Sequence, residues 1–360
     1  MYLTKKWGKL CKMPLKYQEV KEGLKKSVIE SKAGSKIASR NFLSKKYEVA
    51  RNTVDKAIAE LEEEGYLVSV KGSGTYVSDK KPQRSLNVGV IMPSLVGDIY
   101  PKFISGIEKV ASAHNMNIIV SSSDNFPEKQ HENVMRIIEM QADGCIIIPT
   151  INSEKTFETF QLLERKKIPF VVCNRSIDGL DAPFVGVNNH YGAYMAAKHL
   201  AEKGCRILSY FASRKYSISI DRYCGFETAL TEYGGKVCKG PVILGNYEED
   251  VLKEKMRAVF EKEEYPDGIV CFDDTMVTAL YGILQEKGLL IGEEVKVTGY
   301  DDSGICPILP VPLTSVSPEA VEMGKEAVAI LRKLIEGTGE KETFYLIQPR
   351  LIVRKSSGED

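Results

Sequence analysis

Two sets of polar residues in this chain have the types and spacing that recognition chemistry needs. The first opens a helix: in ARNTVDKAIAELEEEG, Ala50 to Gly65, the side chains of Arg51, Asn52 and Thr53 precede any apolar stripe. A surface helix needs only an N-cap, which Asn52 or Thr53 could supply. Three polar residues at that end suit a helix whose first turn meets base edges and phosphates in a major groove. The second set follows short apolar runs: Asp98 and Tyr100 after VGVIMP, Asn174 and Arg175 after FVVC, Arg222 in IDRYCGF, Tyr247 after VILG, Asp273 and Asp274 after IVCF, and Asp301 and Asp302 after VTGY. Carboxylates accept from sugar hydroxyls, Arg and Asn donate to them, and an aromatic ring covers an apolar sugar face.

Catalysis finds less support. The four histidines, His114, His131, His190 and His199, lack metal-ligand spacing, and no GxGxxG or GxxxxGK[ST] follows a strand. The paired acids of DDTM and GYDDS read as turn formers and ligand contacts rather than Mg²⁺ ligands. An enzyme on a doubly wound fold, such as a sugar kinase or dehydrogenase, is therefore the weaker alternative, and neither metal nor cofactor is expected.

Charge separates the two sets. The 360 residues hold 49 basic and 49 acidic side chains, yet residues 1–81 carry 18 of the basic and only 10 of the acidic ones. Such a surplus over one part of a chain marks a polyanion-binding module. The eight cysteines form no CxxC pair and several lie in apolar runs, as buried reduced thiols of a cytoplasmic protein do. The cationic start lacks the apolar core of a secretory signal, and no run is long enough to span a membrane.

The elements that must position these residues follow from periodicity. LKYQEVKEGLKKSVIES places Tyr17, Val20, Leu24 and Val28 at helical spacing. SRNFLSKKYEV predicts a short helix with Phe42, Leu43 and Tyr47 inward, and the helix from Ala50 buries Val54, Ile58 and Leu61 and ends at Gly65. YLVSV and GTYV, joined by KGSG, form a hairpin, so residues 1–78 read as a winged helix-turn-helix. DKKPQRS, 79–85, is a Pro-broken linker. From Leu86 to 355, short β-branched runs alternate with amphipathic helices, which predicts parallel sheets of the α/β doubly wound kind, with roughly ten strands in two lobes. Ligands of such sheets bind at the carboxyl ends of the strands, where the second set lies.

The ordered series PLKYQEV, IASRNFL, VARNTVD, LEEEG and GSGTYV resembles the winged helix of the GntR family of regulators. That resemblance implies DNA contacts from Arg40, Asn41, Arg51, Asn52, Thr53 and Lys56, with Lys71 and Gly72 at the wing. Two positions depart from the pattern: Arg40 stands where the family usually has Glu, and Asp55 where it often has Arg. VGVIMPS, VVCNR, VGVNNHYGAYMAAKHLAEKGCRIL, DRYCGF, FDDTMVTAL, VTGYDDS and PLTSVSP resemble the LacI/GalR effector domain, itself like a periplasmic sugar-binding protein. By position this implies an effector held by Arg222, Asp273 and Asp301, walled by Tyr100 and Tyr247, with Asn174 where relatives often have Asp, and chain crossings between lobes near 184, 313 and 338. The combination is similar to the arabinose repressor class of chimeric regulators. It implies a homodimeric repressor that binds operator DNA and is released by a neutral monosaccharide, such as arabinose or a deoxyhexose.

Overall fold

The computed structural model describes residues 16–79, 85–150, 153–213, 217–233, 235–340 and 344–358. Most of the predicted linker and the cationic start with Cys11 lie outside them. The chain divides into two compact units, Met1–Arg84 and Ser85–Asp360.

The first unit packs α1 (Lys16–Glu30), α2 (Arg40–Lys46) and α3 (Arg51–Glu63) with a hairpin of β1 (Leu67–Val70) and β2 (Gly74–Val77). Val20, Leu24 and Val28 of α1 meet Val54, Ala57, Ile58 and Leu61 of α3, and Leu43, Tyr66, Leu67 and Val77 close the core. Gly65, at φ 79°, reverses the chain after α3, and the Tyr66 amide then donates to the Leu61 carbonyl at 2.8 Å. Two expectations change. Phe42 is 59% exposed, because the seven residues of α2 bury only Leu43. Ala50, not Asn52 or Thr53, is the N-cap of α3 and supplies no side-chain bond, so Arg51, Asn52 and Thr53 are the first three helical residues.

The second unit runs β3 (Leu86–Met92), α4 (Ile99–Ala111), β4 (Met116–Ser122), α5 (Pro127–Glu139), β5 (Gly144–Ile147), α6 (Glu154–Lys166), β6 (Phe170–Cys173), β7 (Phe184–Val187), α7 (Asn189–Glu202), β8 (Ile207–Ala212), α8 (Ser217–Glu232), β9 (Cys238–Leu244), α9 (Glu249–Val259), β10 (Gly268–Cys271), α10 (Thr275–Glu286), β11 (Lys296–Tyr300), β12 (Thr314–Ser317), α11 (Ala320–Ile335), β13 (Phe344–Ile347) and β14 (Arg350–Ile352). The strands form two six-stranded sheets, ordered β13-β7-β6-β5-β3-β4 and β14-β12-β11-β10-β8-β9, parallel except where β14 meets β12. Each sheet is the centre of one lobe.

The lobes are discontinuous. Helix α7 packs into the second lobe through Ala196, Ala197 and Leu200, while α11 returns to the first through Met323, Ala327 and Leu331. The crossings therefore fall at 188, 318–319 and 348–349, later than the expected 184, 313 and 338, because β7, β12 and β13 each finish in the lobe the chain is about to leave. The Asn188 amide donates to the Ile347 carbonyl at 3.0 Å, and the Arg350 guanidinium donates to both Glu319 oxygens at 2.9 Å, so the crossings are tied to one another. The second domain also continues past 355: Ser356 and Ser357 are fully buried, and the Ser356 hydroxyl donates to the Val297 carbonyl at 2.6 Å. Among the described cysteines Cys145, Cys173, Cys205, Cys271 and Cys306 are free and buried, Cys224 and Cys238 free and exposed.

Candidate functional sites

The first site is the open end of α3. With no side-chain cap on the first turn, the helix N-terminus keeps unsatisfied N–H groups and a positive dipole end, both of which favour an anion. Arg51, Asn52 and Lys56 are exposed and Thr53 half-buried, on the side away from the core residues. Asn41 on α2 and Lys71 and Gly72 in the hairpin turn are exposed as well, and Gly72 takes φ 76°, open to glycine at no steric cost. Arg40 differs. Its Nε donates to Asp55 Oδ1 at 2.6 Å and its Nη1 to Thr75 Oγ1 at 3.1 Å, so the two departures from the family pattern meet each other in an ion pair.

The second site is a cavity of about 330 Å³ between the lobes. The loop after β3, the start of α4 and the loop after β6 line it from the first lobe with Asp98, Tyr100, Asn174 and Arg175. The start of α8 and the loops after β10 and β11 line it from the second with Arg222, Asp273 and Asp301. Five of the six expected effector residues thus surround one space. Tyr247 does not join them: it follows β9, the edge strand of its sheet, and its ring packs on the second-lobe core beneath Lys255, 4.9 Å away.

Arg222 is 4% exposed and organises the cavity floor. Its Nε donates to Asn189 Oδ1 at 2.9 Å and its Nη1 to the Phe272 carbonyl at 2.5 Å, and its guanidinium lies 3.3 Å from the Tyr300 ring centroid and 4.6 Å from that of Phe272. Nη2 stands 3.6 Å from Asp301 Oδ1, an ion pair without a hydrogen bond, and that oxygen has no hydrogen-bond partner among the described residues. Asp301 sits at φ 97°, a strained backbone for an aspartate, turned towards the cavity. Burial pushes its carboxyl up to about 7, the neighbouring Arg222 only partly offsetting it. Asp273 accepts from the Met276 amide at 3.1 Å and the Thr275 hydroxyl at 2.6 Å, which fixes its carboxylate at the start of α10. Its neighbour Asp274 is 1% exposed and structural: it accepts from the Ser303 amide, the Ser315 hydroxyl and the Cys306 thiol, and burial raises its carboxyl above the usual range.

Two hydrogen bonds cross the cleft mouth. Lys102 of α4 donates to the Asp302 carbonyl at 2.7 Å, and the Gly304 amide donates to Asp98 Oδ2 at 3.1 Å. They bridge the two lobes directly. Sequence reasoning missed Asn189, Phe272 and Tyr300. The signal was adjacency: Phe272 and Tyr300 each directly precede an acid already singled out, and Asn189 lies in NNH at the start of α7.

Among the described residues no helix is long and apolar enough to cross a membrane, and no group of His, Cys, Asp and Glu could hold a metal ion. The model of the bacterial regulatory proteins of the gntR family matches residues 16–77, and that of a periplasmic binding protein-like domain matches 197–357. An arabinose metabolism transcriptional repressor of Halalkalibacterium halodurans is 31% identical, the match covering 96% of this chain and 98% of that one. A protein of the same name from Geobacillus stearothermophilus is 26% identical over 96% and 98%. Among solved structures, a transcriptional regulator CelR–cellobiose complex matches 85% of this chain and 90% of its own at TM-score 0.67 and 21% identity, a likeness of fold.

Proposed function

Since the chain belongs to the family of transcriptional repressors that join a gntR-type head to a periplasmic-binding-protein-like body, we propose that it represses genes of sugar use as a homodimer and leaves its operator when a neutral monosaccharide, arabinose or a deoxyhexose, fills the interlobe cavity. It is a DNA-binding regulator and not an enzyme. The observation that carries the choice of ligand is the charge around the cavity. Asp98, Asp273, Asp274 and Asp301 line it against Arg175 and Arg222, and Arg222 already donates to Asn189 and the Phe272 carbonyl and faces the charge of Asp301. A sugar phosphate would meet this acidic surplus, four carboxyls against two guanidiniums in the lining, whereas neutral hydroxyls can donate to the carboxylates. Within this reading Tyr100 covers a ring face and Asn174 donates from the first lobe.

A general argument supports the homodimer: one winged helix contacts few base pairs, and two half-sites multiply specificity. We assign residues 1–78 to DNA binding, 79–85 to a linker and the remainder to effector binding and dimerisation. Calorimetry with pentoses, deoxyhexoses and their phosphates tests the ligand class, and fluorescence anisotropy on operator DNA tests release. Binding of phosphosugars alone, or operator affinity that rises with sugar, would overturn the reading.

A further inference from the structure

The exposed face of α3 presents an acid in the place where a groove-facing helix meets a polyanion. Asp55 lies one turn beyond Arg51, on the flank of the stripe buried through Val54, Ala57, Ile58 and Leu61, and its side chain keeps 42% exposure. It is held there from two sides. Arg40 reaches from the start of α2 to bind Oδ1 at 2.6 Å, and its other arm is anchored on Thr75 of the wing, whose hydroxyl is 2.7 Å from that of Ser69. Arg51 Nε stands 3.9 Å from Oδ2, beyond hydrogen-bond reach. Among the described residues Oδ1 is thus occupied and Oδ2 accepts no hydrogen bond.

We propose that Asp55 is a base-reading residue: Oδ2 accepts from the exocyclic amine of a cytosine in the major groove, while Arg40 fixes the carboxylate and neutralises it. The inference rests on the first unit being the DNA-binding head. A carboxylate only accepts, so the groove edges of guanine and of thymine, which present acceptors, repel it. The adenine amine stands between two acceptors, its own N7 and the O4 of the paired thymine; the cytosine amine has an acceptor, the O6 of the paired guanine, on one side only. Cytosine is therefore the base this oxygen selects. Phosphate repulsion does not oppose it, because Arg40, Asp55 and Arg51 together carry a single positive charge.

The experiment selects operators from a randomised half-site library with the full-length protein, then titrates single base-pair substitutions. Wild type is expected to require cytosine at one position of each half-site, with substitution there weakening binding about 5- to 150-fold. Asp55→Asn should move that preference to adenine, which an amide reads through N6 and N7, and the reversed pair R40E/D55R should move it to guanine. Unfolding temperature should stay close to wild type in both, and affinity for random DNA should rise with Asp55→Asn, which removes a negative charge beside Arg40 and Arg51. Titrating wild type against the substituted operators keeps the test independent of how the variants fold. The assignment falls if wild type requires no cytosine in its half-site, or if folded variants keep the wild-type base preference. A wild type that selects no sequence at all refutes the DNA-binding head itself.

Discussion

Arg222 and Asp301 concentrate the consequences at the scale of single residues. Removing a buried guanidinium strands the groups it serves, so Arg222→Ala should destabilise the second unit by roughly 3–5 kcal/mol in denaturant melts. Asp301 makes stability depend on pH. Its carboxyl is raised in the folded protein to about 7 from an unfolded 3.8, so the folded state holds the extra proton between those values. The stability it contributes is complete below the unfolded value and is lost as pH rises towards 7. Thermal unfolding from pH 4 to 8 should therefore decline less steeply in Asp301→Asn than in wild type. On the effector role proposed for Asp301, sugar affinity should move the other way, rising through neutrality as its carboxylate forms. The residues around the cavity were legible where a polar side chain interrupts an apolar run. Phe272 and Tyr300 were not, since an aromatic ending a buried strand looks the same whether it faces the core or a guanidinium.

Helix α3 makes predictions at the scale of elements. Arg51→Ala should cost on the order of 1–3 kcal/mol on the selected operator and little on random DNA, whereas Lys56→Ala or Lys71→Ala should weaken both alike and lower the salt slope by about 1, as anisotropy titrations at several salt concentrations would resolve. Helices α4 and α11 touch through glycines: a Cβ at Gly106 would collide with the Val321 carbonyl, and one at Gly324 with that of Phe103. Gly106→Ala should cost about 1–3 kcal/mol, read as a lower unfolding midpoint. Long periodic helices such as α1 and α3 were legible from their apolar spacing. Helix α2 was not fully so, because seven residues make under two turns and cannot separate an inward Phe42 from an outward one. The α4–α11 contact was invisible for a different reason: glycine in a helix announces no partner.

At the scale of the whole molecule, the proposed effector role predicts a coupling between sites. A ligand touching both lobes favours the arrangement that the Lys102 and Asp98 bonds already bridge, and shifts the lobes by its differential affinity. If that motion resets the spacing of two heads, sugar and operator oppose each other by about 1–3 kcal/mol, equally in both directions. Anisotropy titrations with and without saturating sugar, and calorimetry with and without operator, should return the same coupling. Asp301→Ala should abolish it while sparing operator affinity without sugar. The two-lobed plan was legible from the alternation of strand and helix, but the crossings were placed 4 to 11 residues early. A four-residue strand buried on both faces, such as FVGV, carries no mark of the sheet it joins.

Those crossings also set an order of events on the ribosome. The head can close its own core once its hairpin has emerged, since every residue of that core precedes Ser78. The first lobe has no such freedom. Its sheet ends on β13 and its core needs α11, so it stays open along one edge until residue 347 has left the exit tunnel, and by then nearly the whole second lobe is also available. Synthesis therefore yields a folded head tethered for some 270 residues to an unfinished body, and at the ~5–20 residues per second of translation that interval is about 13–54 seconds. A chain that terminates early would keep a folded reading head and lack a completed effector cleft.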